Sequence, residues 1–480
     1  MKYDLIVVGT GFASSFFLKK YLEKSPANKK VLVIERGRLY SRSERIDTLT
    51  GKPPSYIKGL ETNETSVSNR TPEKPWVFDL NFGGSSNCWW GCTPRFMPND
   101  FALKTLYNQG VDWPVTYNDL EKYYCEVENI MGISGPDETP FPRSQKYPLP
   151  PHALSTIDKK MQAIYGTQWI SQPTARASKP FGKRNACCSS VTCSVCPVDA
   201  KFTIENGLSS IYNDPRVELK YGLQAIKIDW ENNVAKRVIC TERANKNVNN
   251  THAFEGEVIA LGTNAIFNPH ILLNSGDTNP FTGGGLSEQR SFSVTAHINM
   301  DNLGGGSAIS ANGYMEYDGA FRKEGASCII ENFNSPVVRN ERGKWRKLLH
   351  FKFIMEALPD MSNRIKTGSD PFQPMVEYAD RGSYVNNGRS RVEKNLEKLL
   401  APLSVEEVFI EKGYISTESH VLASARMGKD ASDSVVDKNQ IHHQYRNLFV
   451  LGGSSFPTIA AANPTLTISA LSLMAADASF

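Results

Sequence analysis

Two sets of side chains in this 480-residue chain have types and spacing suited to chemistry. Cys187, Cys188, Cys193 and Cys196 place four of the nine cysteines in one short run, with Pro197 directly after the last. Thiolates this close together can ligate zinc or an iron–sulfur cluster, and Cys-x-x-Cys-Pro is the kind of spacing in which a proline ends a cluster-binding loop. An odd total and such clustering are not the pattern of a secreted disulfide scaffold. A plain structural loop and a structural zinc site are the other readings of the same residues. The second set is His420 and Asn463. An imidazole titrates near pH ~6.5, so its neutral form can take a proton from a hydroxyl at neutral pH. A side-chain amide can hold a reacting oxygen in register. Each also has a bland reading: a lone histidine is commonly structural, and Asn463 before Pro464 is placed to cap a helix. His442-His443 stands in a polar stretch and reads as solvated.

The elements that must position these groups begin at the N-terminus. Leu5-Ile6-Val7-Val8 is an apolar strand, and Gly9-Thr10-Gly11-Phe12-Ala13-Ser14 follows it directly. An apolar-periodic helix covers Phe16 to Tyr21, and a second strand, Val31-Leu32-Val33-Ile34, ends at Glu35. This is a βαβ unit with a glycine fingerprint. Gly9 allows the tight turn, and Gly11 lets a pyrophosphate approach the backbone at the helix N-terminus. Glu35 can accept a hydrogen bond from a ribose hydroxyl. Ser14 stands where glycine or alanine is usual and is small enough for helix–strand packing. The unit predicts dinucleotide binding.

Further along, residues 41–80 are polar and read as a long surface loop. Residues 135–151 carry six prolines and read as a boundary. Val217–Trp230 and Val234–Thr241 alternate as a half-buried hairpin. Val258–Gly262 and Leu448–Gly453 are buried strands ending in glycine. Ser291–Met300 and Leu348–Met355 alternate as strands, a Lys/Glu-rich helix lies near 391–400, and 464–477 is a closing helix. Nucleotide-fold pieces at the start, middle and end predict an α/β fold: a discontinuous Rossmann-like domain with an α+β substrate domain on an antiparallel sheet. The expected division is 1–100, 181–285 and 416–480 for the nucleotide domain, and 101–180 and 286–415 for the substrate domain.

Four elements in this order resemble the glucose–methanol–choline (GMC) flavoprotein oxidoreductases. They are Gly9–Ser14 with Glu35; Gly83-Gly84-Ser85-Ser86-Asn87; Val258–Gly262 with Leu272-Leu273-Asn274-Ser275-Gly276; and the C-terminal run from His420 through Ala425-Arg426-Met427-Gly428, Gly453 and Asn463-Pro464. The resemblance implies FAD, held by Gly9, Gly11, Phe12, Ala13, Ser14, Glu35, Gly83, Gly84, Ser85, Asn87, Ala225, Gly262, Gly453, Pro464 and Thr465. It implies His420 as general base and Asn463 as its partner in alcohol oxidation, with hydride leaving carbon for flavin N5. The positive N-terminus of the closing helix would favour the anionic reduced flavin. Where some relatives have a histidine bonded to the flavin, this chain has Cys88, so that link is absent and noncovalent FAD is expected. The double cysteine Cys187-Cys188 is similar to catalytic subunits of bacterial FAD-dependent sugar and polyol dehydrogenases. That similarity implies a [3Fe–4S] cluster on Cys187, Cys188 and Cys193, with Cys196 nearby. It also implies a small partner subunit and a cytochrome or quinone acceptor. The alternatives are an oxidase of the same fold that reduces O₂ to hydrogen peroxide without a cluster, and a non-catalytic electron-transfer flavoprotein.

Composition trims the field. Charged residues are 22% and the net charge is +4, which gives no reason to invoke nucleic acid. No apolar run approaches the ~18 residues of a membrane span. The opening Met1-Lys2-Tyr3-Asp4 has no leader character, so a cytoplasmic location is expected, or a periplasmic one if a partner subunit carries the export signal.

Overall fold

The computed structural model describes residues 2–49, 63–334, 337–379 and 382–480. Its first sheet grows from the apolar runs named above. Strands Lys2–Val8 and Val31–Glu35 are largely or fully buried, and His252–Leu261 is buried at its C-terminal end, because helices cover a parallel sheet on its faces. Lys2–Val8 pairs in parallel with both of the others, and Val31–Glu35 pairs in parallel with Val217–Tyr221. Leu448–Val450 adds a further parallel strand on His252–Leu261. The mixed edge is an antiparallel hairpin, Leu223–Glu231 with Val234–Glu242. Asn232 and Asn233 close it, both with φ in the left-handed region, as a two-residue hairpin turn requires.

The second sheet is built from strands 405–410, 290–298, 348–355, 328–333, 309–313 and 169–171, in that order and antiparallel throughout. This is the predicted α/β architecture with an antiparallel substrate sheet. Helix Phe12–Lys24 packs on the closing helix Thr465–Asp477, which packs on Tyr117–Met131. The closing helix is buried nearly all round, and its small residues Ser469, Ala470, Ser472, Ala475 and Ala476 permit close approach. Among the described residues no helix is long and apolar enough to cross a membrane.

Four local expectations are corrected. Val217–Tyr221 is not an arm of the hairpin: the chain breaks at Gly222 (φ +73°), and the strand joins the parallel set instead. The polar stretch 41–80 is not loop throughout. Arg42–Leu49 is a helix, begun by a reciprocal cap in which Ser41 N–H donates to Glu44 and Glu44 N–H donates to Ser41 Oγ. Strand Ser68–Asn69 also lies in this stretch, whereas residues 50–62 fall outside the described residues. The helix expected near 391–400 starts at Ser383. Asn386, Asn387 and Gly388 are weak helix formers, but Gly388 is held against Ala326, where a Cβ would meet the Ala326 carbonyl oxygen at 2.5 Å. Finally, His442 is buried, not solvated, with Nδ1 accepting from the backbone N–H of Gln444 and Tyr445.

Candidate active site

A cavity of about 610 Å³ runs from the first βαβ unit to the antiparallel sheet. At its nucleotide end, Gly9 sits at φ +94°, and a Cβ there would meet the Gly262 carbonyl oxygen at 2.8 Å. Gly11 is different. A Cβ on it would meet nothing within 4 Å, because the residue faces open cavity where a pyrophosphate would lie. Gly84 (φ +51°) approaches from the second glycine loop, its Cβ position 3.2 Å from Gly11 Cα. Helix Phe12–Lys24 therefore begins at the cavity wall with unpaired N–H groups facing in. Glu35 is buried on the same wall. One carboxylate oxygen accepts from Gly37 N–H (2.7 Å) and the other from Thr10 Oγ (2.5 Å). Burial pushes its pKa up, opposed by those two bonds. A carboxylate offers about four lone-pair sites, so capacity for a ribose hydroxyl remains.

Of the residues that the resemblance assigns to FAD, Gly9, Gly11, Phe12, Ala13, Glu35, Gly84, Ser85, Ala225, Gly262, Gly453, Pro464 and Thr465 line this cavity. Ser14, Gly83 and Asn87 do not line it. Ser14 packs between helix and sheet, its hydroxyl directed at the Val8 and Gly262 carbonyls. Gly83 N–H donates to Thr10 Oγ, and Asn87 Nδ2 donates to the Phe82 carbonyl, so both residues shape the loop from behind. The sequence reading overlooked Thr10, Asp79, Thr263 and Gly452 on this wall.

At the other end, His420 and Asn463 face the same cavity. They reach it from different elements: His420 follows Ser419, held at φ 61°, and Asn463 precedes the closing helix. His420 Nδ1 lies 3.0 Å from Gln289 Oε1. Burial, with the Lys352 ammonium, pushes its pKa down to about 3, so the ring is neutral through the physiological range. The capping role open to Asn463 is not realised: Pro464 occupies the cap position and no side-chain cap bond forms. Instead the Asn463 amide donates toward the Glu331 carboxylate, and its Oδ1 is buried with no partner.

Glu331 and Lys352 are cross-strand neighbours on the antiparallel sheet, and both line the cavity with Glu418. Lys352 pairs with Glu418 at 2.6 Å. Glu331 accepts from Gln172 Nε2 (3.2 Å), and burial pushes its pKa up to about 7, against the pull of Lys352. Trp90 and Phe333, 5.7 Å apart, add an aromatic surface beside them. The sequence reading missed these charges. Their signal was present: single charged residues on the inward face of otherwise apolar strands, Cys328–Phe333 and Leu348–Met355.

The cysteine run lies behind the Trp89-Trp90 segment. Ser194 reaches the cavity wall, and the Lys201 ammonium donates to the Asn87, Trp89 and Ser194 carbonyls, tying the run to that segment. Cys193 is buried, Cys187 and Cys196 half-buried, and Cys188 exposed. Burial raises the Cys187 and Cys193 thiols, with the Arg176 guanidinium acting the other way. Among the described residues no three cysteine, histidine or carboxylate groups gather closely enough to hold a metal ion. Within the run the four thiols differ in exposure, from Cys193 in the interior to Cys188 at the surface.

Comparison with known proteins matches this geometry. Residues 363–472 match the profile of the GMC oxidoreductases. The chain is 24% identical to the fructose dehydrogenase large subunit of Gluconobacter japonicus, covering 99% of this chain and 97% of that one. It is 25% identical to the 6'''-hydroxyparomomycin C oxidase of Streptomyces lividus, covering 98% and 90%. Pyridoxine 4-oxidase from Mesorbium loti has the same fold, with TM-score 0.68 at 16% identity over 99% of both chains. The match over residues 363–472 identifies a GMC oxidoreductase C-terminal domain, and the full-length relatives are oxidoreductases similar to this chain from end to end. The protein is an FAD-dependent enzyme acting on CH–OH groups.

Proposed function

We propose that the protein oxidises a secondary or primary alcohol of a sugar, glycoside or polyol, with His420 as general base. The observation that carries this reading is the set of acceptors on the cavity wall. The neutral His420 ring, the unpartnered Asn463 Oδ1 and the Glu331 carboxylate stand together. Of these, Asn463 Oδ1 is buried without a donor, which costs ~1–3 kcal/mol. A polyhydroxylated substrate brings the donors: one hydroxyl proton meets His420 and a neighbouring hydroxyl meets Asn463. The Lys352 ammonium can donate to a substrate oxygen, and the Trp90 and Phe333 rings suit the C–H faces of a sugar. FAD, when bound, supplies the hydride acceptor; Gly11, the Phe12–Lys24 N-terminus and Glu35 are the groups that would hold it. His420 removes the hydroxyl proton and the wall fixes the carbon. Replacing His420 by Ala should slow flavin reduction by roughly 10²–10⁴-fold. An unchanged rate in anaerobic stopped flow removes His420 from the chemistry. Failure of every alcohol in a broad sugar and polyol panel to bleach the flavin removes the enzyme reading itself.

The finer reading concerns electron exit. Arg176 and Lys201 are both buried beside the cysteine run, and their hydrogen bonds go to neutral oxygens: Arg176 to Ser307, Trp90, Gln172 and Ile309, and Lys201 to the Asn87, Trp89 and Ser194 carbonyls. An anionic centre in that loop would compensate them, which supports an iron–sulfur group gathered when the metal is present. The large-subunit relative supports a partner subunit and an external acceptor such as a cytochrome or quinone. Iron and acid-labile sulfide in anaerobically purified protein are the expected result. Their absence, with fast reoxidation of the reduced flavin by O₂, supports the peroxide-forming oxidase instead.

A further inference from the structure

Gln289 is buried and touches no part of the cavity, yet its side chain joins the two halves of the reacting pair. Its amide nitrogen donates to the Ala460 carbonyl (2.9 Å) and to the Ala462 carbonyl (3.1 Å). Both amide hydrogens are thereby used, and both bonds go to the segment that ends at Asn463. The side-chain orientation is fixed by this, because a carbonyl cannot donate to a carbonyl. Gln289 Oε1 must therefore point the other way, at His420 Nδ1 (3.0 Å). An amide oxygen only accepts, so the proton of the neutral ring must sit on Nδ1. The lone pair then sits on Nε2, the ring nitrogen that Gln289 does not hold. The neighbouring residue holds the backbone in the same way: Glu288 accepts from His420 N–H (3.2 Å) and from Thr417 Oγ (3.2 Å), and is itself ion-paired with Lys74.

We propose that Gln289 is a positioning residue that sets the tautomer and aim of His420 and ties its ring to the segment carrying Asn463. The inference rests on His420 being the base, and it adds what makes that base competent. Without the Gln289 acceptor, the ring is free to carry its proton on Nε2, where it has no lone pair to offer a hydroxyl. A histidine held only by packing would not be so restricted.

Nitrogen-15 NMR of the FAD-loaded enzyme with labelled histidine tests it directly, the His420 signals being assigned by their loss in His420→Asn. The expected spectrum has a protonated Nδ1 and an unprotonated Nε2. The reverse tautomer in the wild type overturns the proposal whatever the activity. In Gln289→Leu the signals should move toward the Nε2-protonated form, and flavin reduction should slow on the order of 100-fold, with KM little changed. Gln289→Glu still offers Nδ1 an acceptor, so it should keep the Nδ1-protonated form and recover part of the rate. It also keeps the experiment informative if the Leu variant fails to fold. Equal rates in Leu and Glu variants at the wild-type level overturn the proposal. A correct tautomer together with a fully active His420→Ala variant would instead sink the general-base reading while leaving the Gln289 bond intact.

Discussion

Glu331 offers a quantitative test of how dry the substrate wall is. Its carboxyl is buried on the second sheet, and its pKa is raised from 4.5 to about 7, chiefly by burial, with Lys352 pulling the other way. A shift of about 2.5 units corresponds to roughly 3 kcal/mol at ~1.36 kcal/mol per unit. The sign follows from which state holds the proton. Below pH ~4.5 the carboxyl is protonated in both folded and unfolded chains, and nothing is lost. Between ~4.5 and ~7 the unfolded chain ionises while the folded one stays neutral, so stability falls; above ~7 the loss is complete. Glu331→Gln keeps the shape and one acceptor oxygen for Gln172 but removes the titration. Its stability relative to wild type should therefore rise by about 3 kcal/mol between pH 4.5 and 8. With unfolding entropy near ~2.1 cal/mol/K per residue over the whole chain, that is about 3 °C in Tm. Calorimetry of both proteins at a series of pH values reads the difference. Parallel Tm curves across the range would refute a Glu331 carboxyl that burial keeps protonated. A gap that widens in the opposite direction would mean that Glu331 has a stronger cationic partner than Lys352 provides.

Other changes follow from close packing. Gly262→Ala places a Cβ 2.0 Å from Ser14 Oγ, an overlap expected to cost about 1–3 kcal/mol and to weaken FAD binding. Gly262→Ala with Ser14→Ala should recover much of it, measured as a double-mutant cycle in Tm and FAD affinity; additive effects would mean that the clash is relieved elsewhere. Arg322 is fully buried between Asp100 (2.8 Å), Glu356 (2.5 Å) and Asp318 (3.2 Å). Arg322→Met leaves two buried carboxylates without their cation and should destabilise by about 3–5 kcal/mol, lowering Tm without altering the flavin spectrum of protein that remains folded. A Tm within a degree of wild type would show that the carboxylates take up protons at no net loss.

Much of the nucleotide half was legible because its signals are local. The strand Lys2–Val8, the glycines after it and Glu35 sit within one βαβ unit, where spacing along the chain is spacing in space. Glycine at a left-handed φ, as at Gly9, is a backbone demand that the residue type announces. Even there the periphery misled. Ser14, Gly83 and Asn87 belong to the motifs but do not line the cavity, because their polar groups are bonded into the fold: Ser14 Oγ toward the Val8 and Gly262 carbonyls, Gly83 N–H to Thr10 Oγ and Asn87 Nδ2 to the Phe82 carbonyl. The cap at Ser41 and Glu44 was readable from its spacing, whereas the break at Gly222 was decided by which strand offered a free edge.

By itself, the sequence determined the α/β class and the dinucleotide unit, since both depend on short runs of residue type, and it pointed to His420 and Asn463 through the resemblance of the C-terminal run. Only the tertiary structure decided what surrounds that pair. Gln289, Glu331, Lys352 and Glu418 come from separate strands and loops, and the antiparallel register of the second sheet sets Glu331 directly against Lys352. Tertiary packing also took Asn463 from a helix cap to a cavity acceptor and left the four cysteines of the run differing in exposure. The physical reason is the same in each case. Hydrogen-bond partners, burial and charge neighbours are properties of the space around a side chain, and residues distant in the chain, such as Gln289 from His420 and Glu331 from Asn463, fill that space.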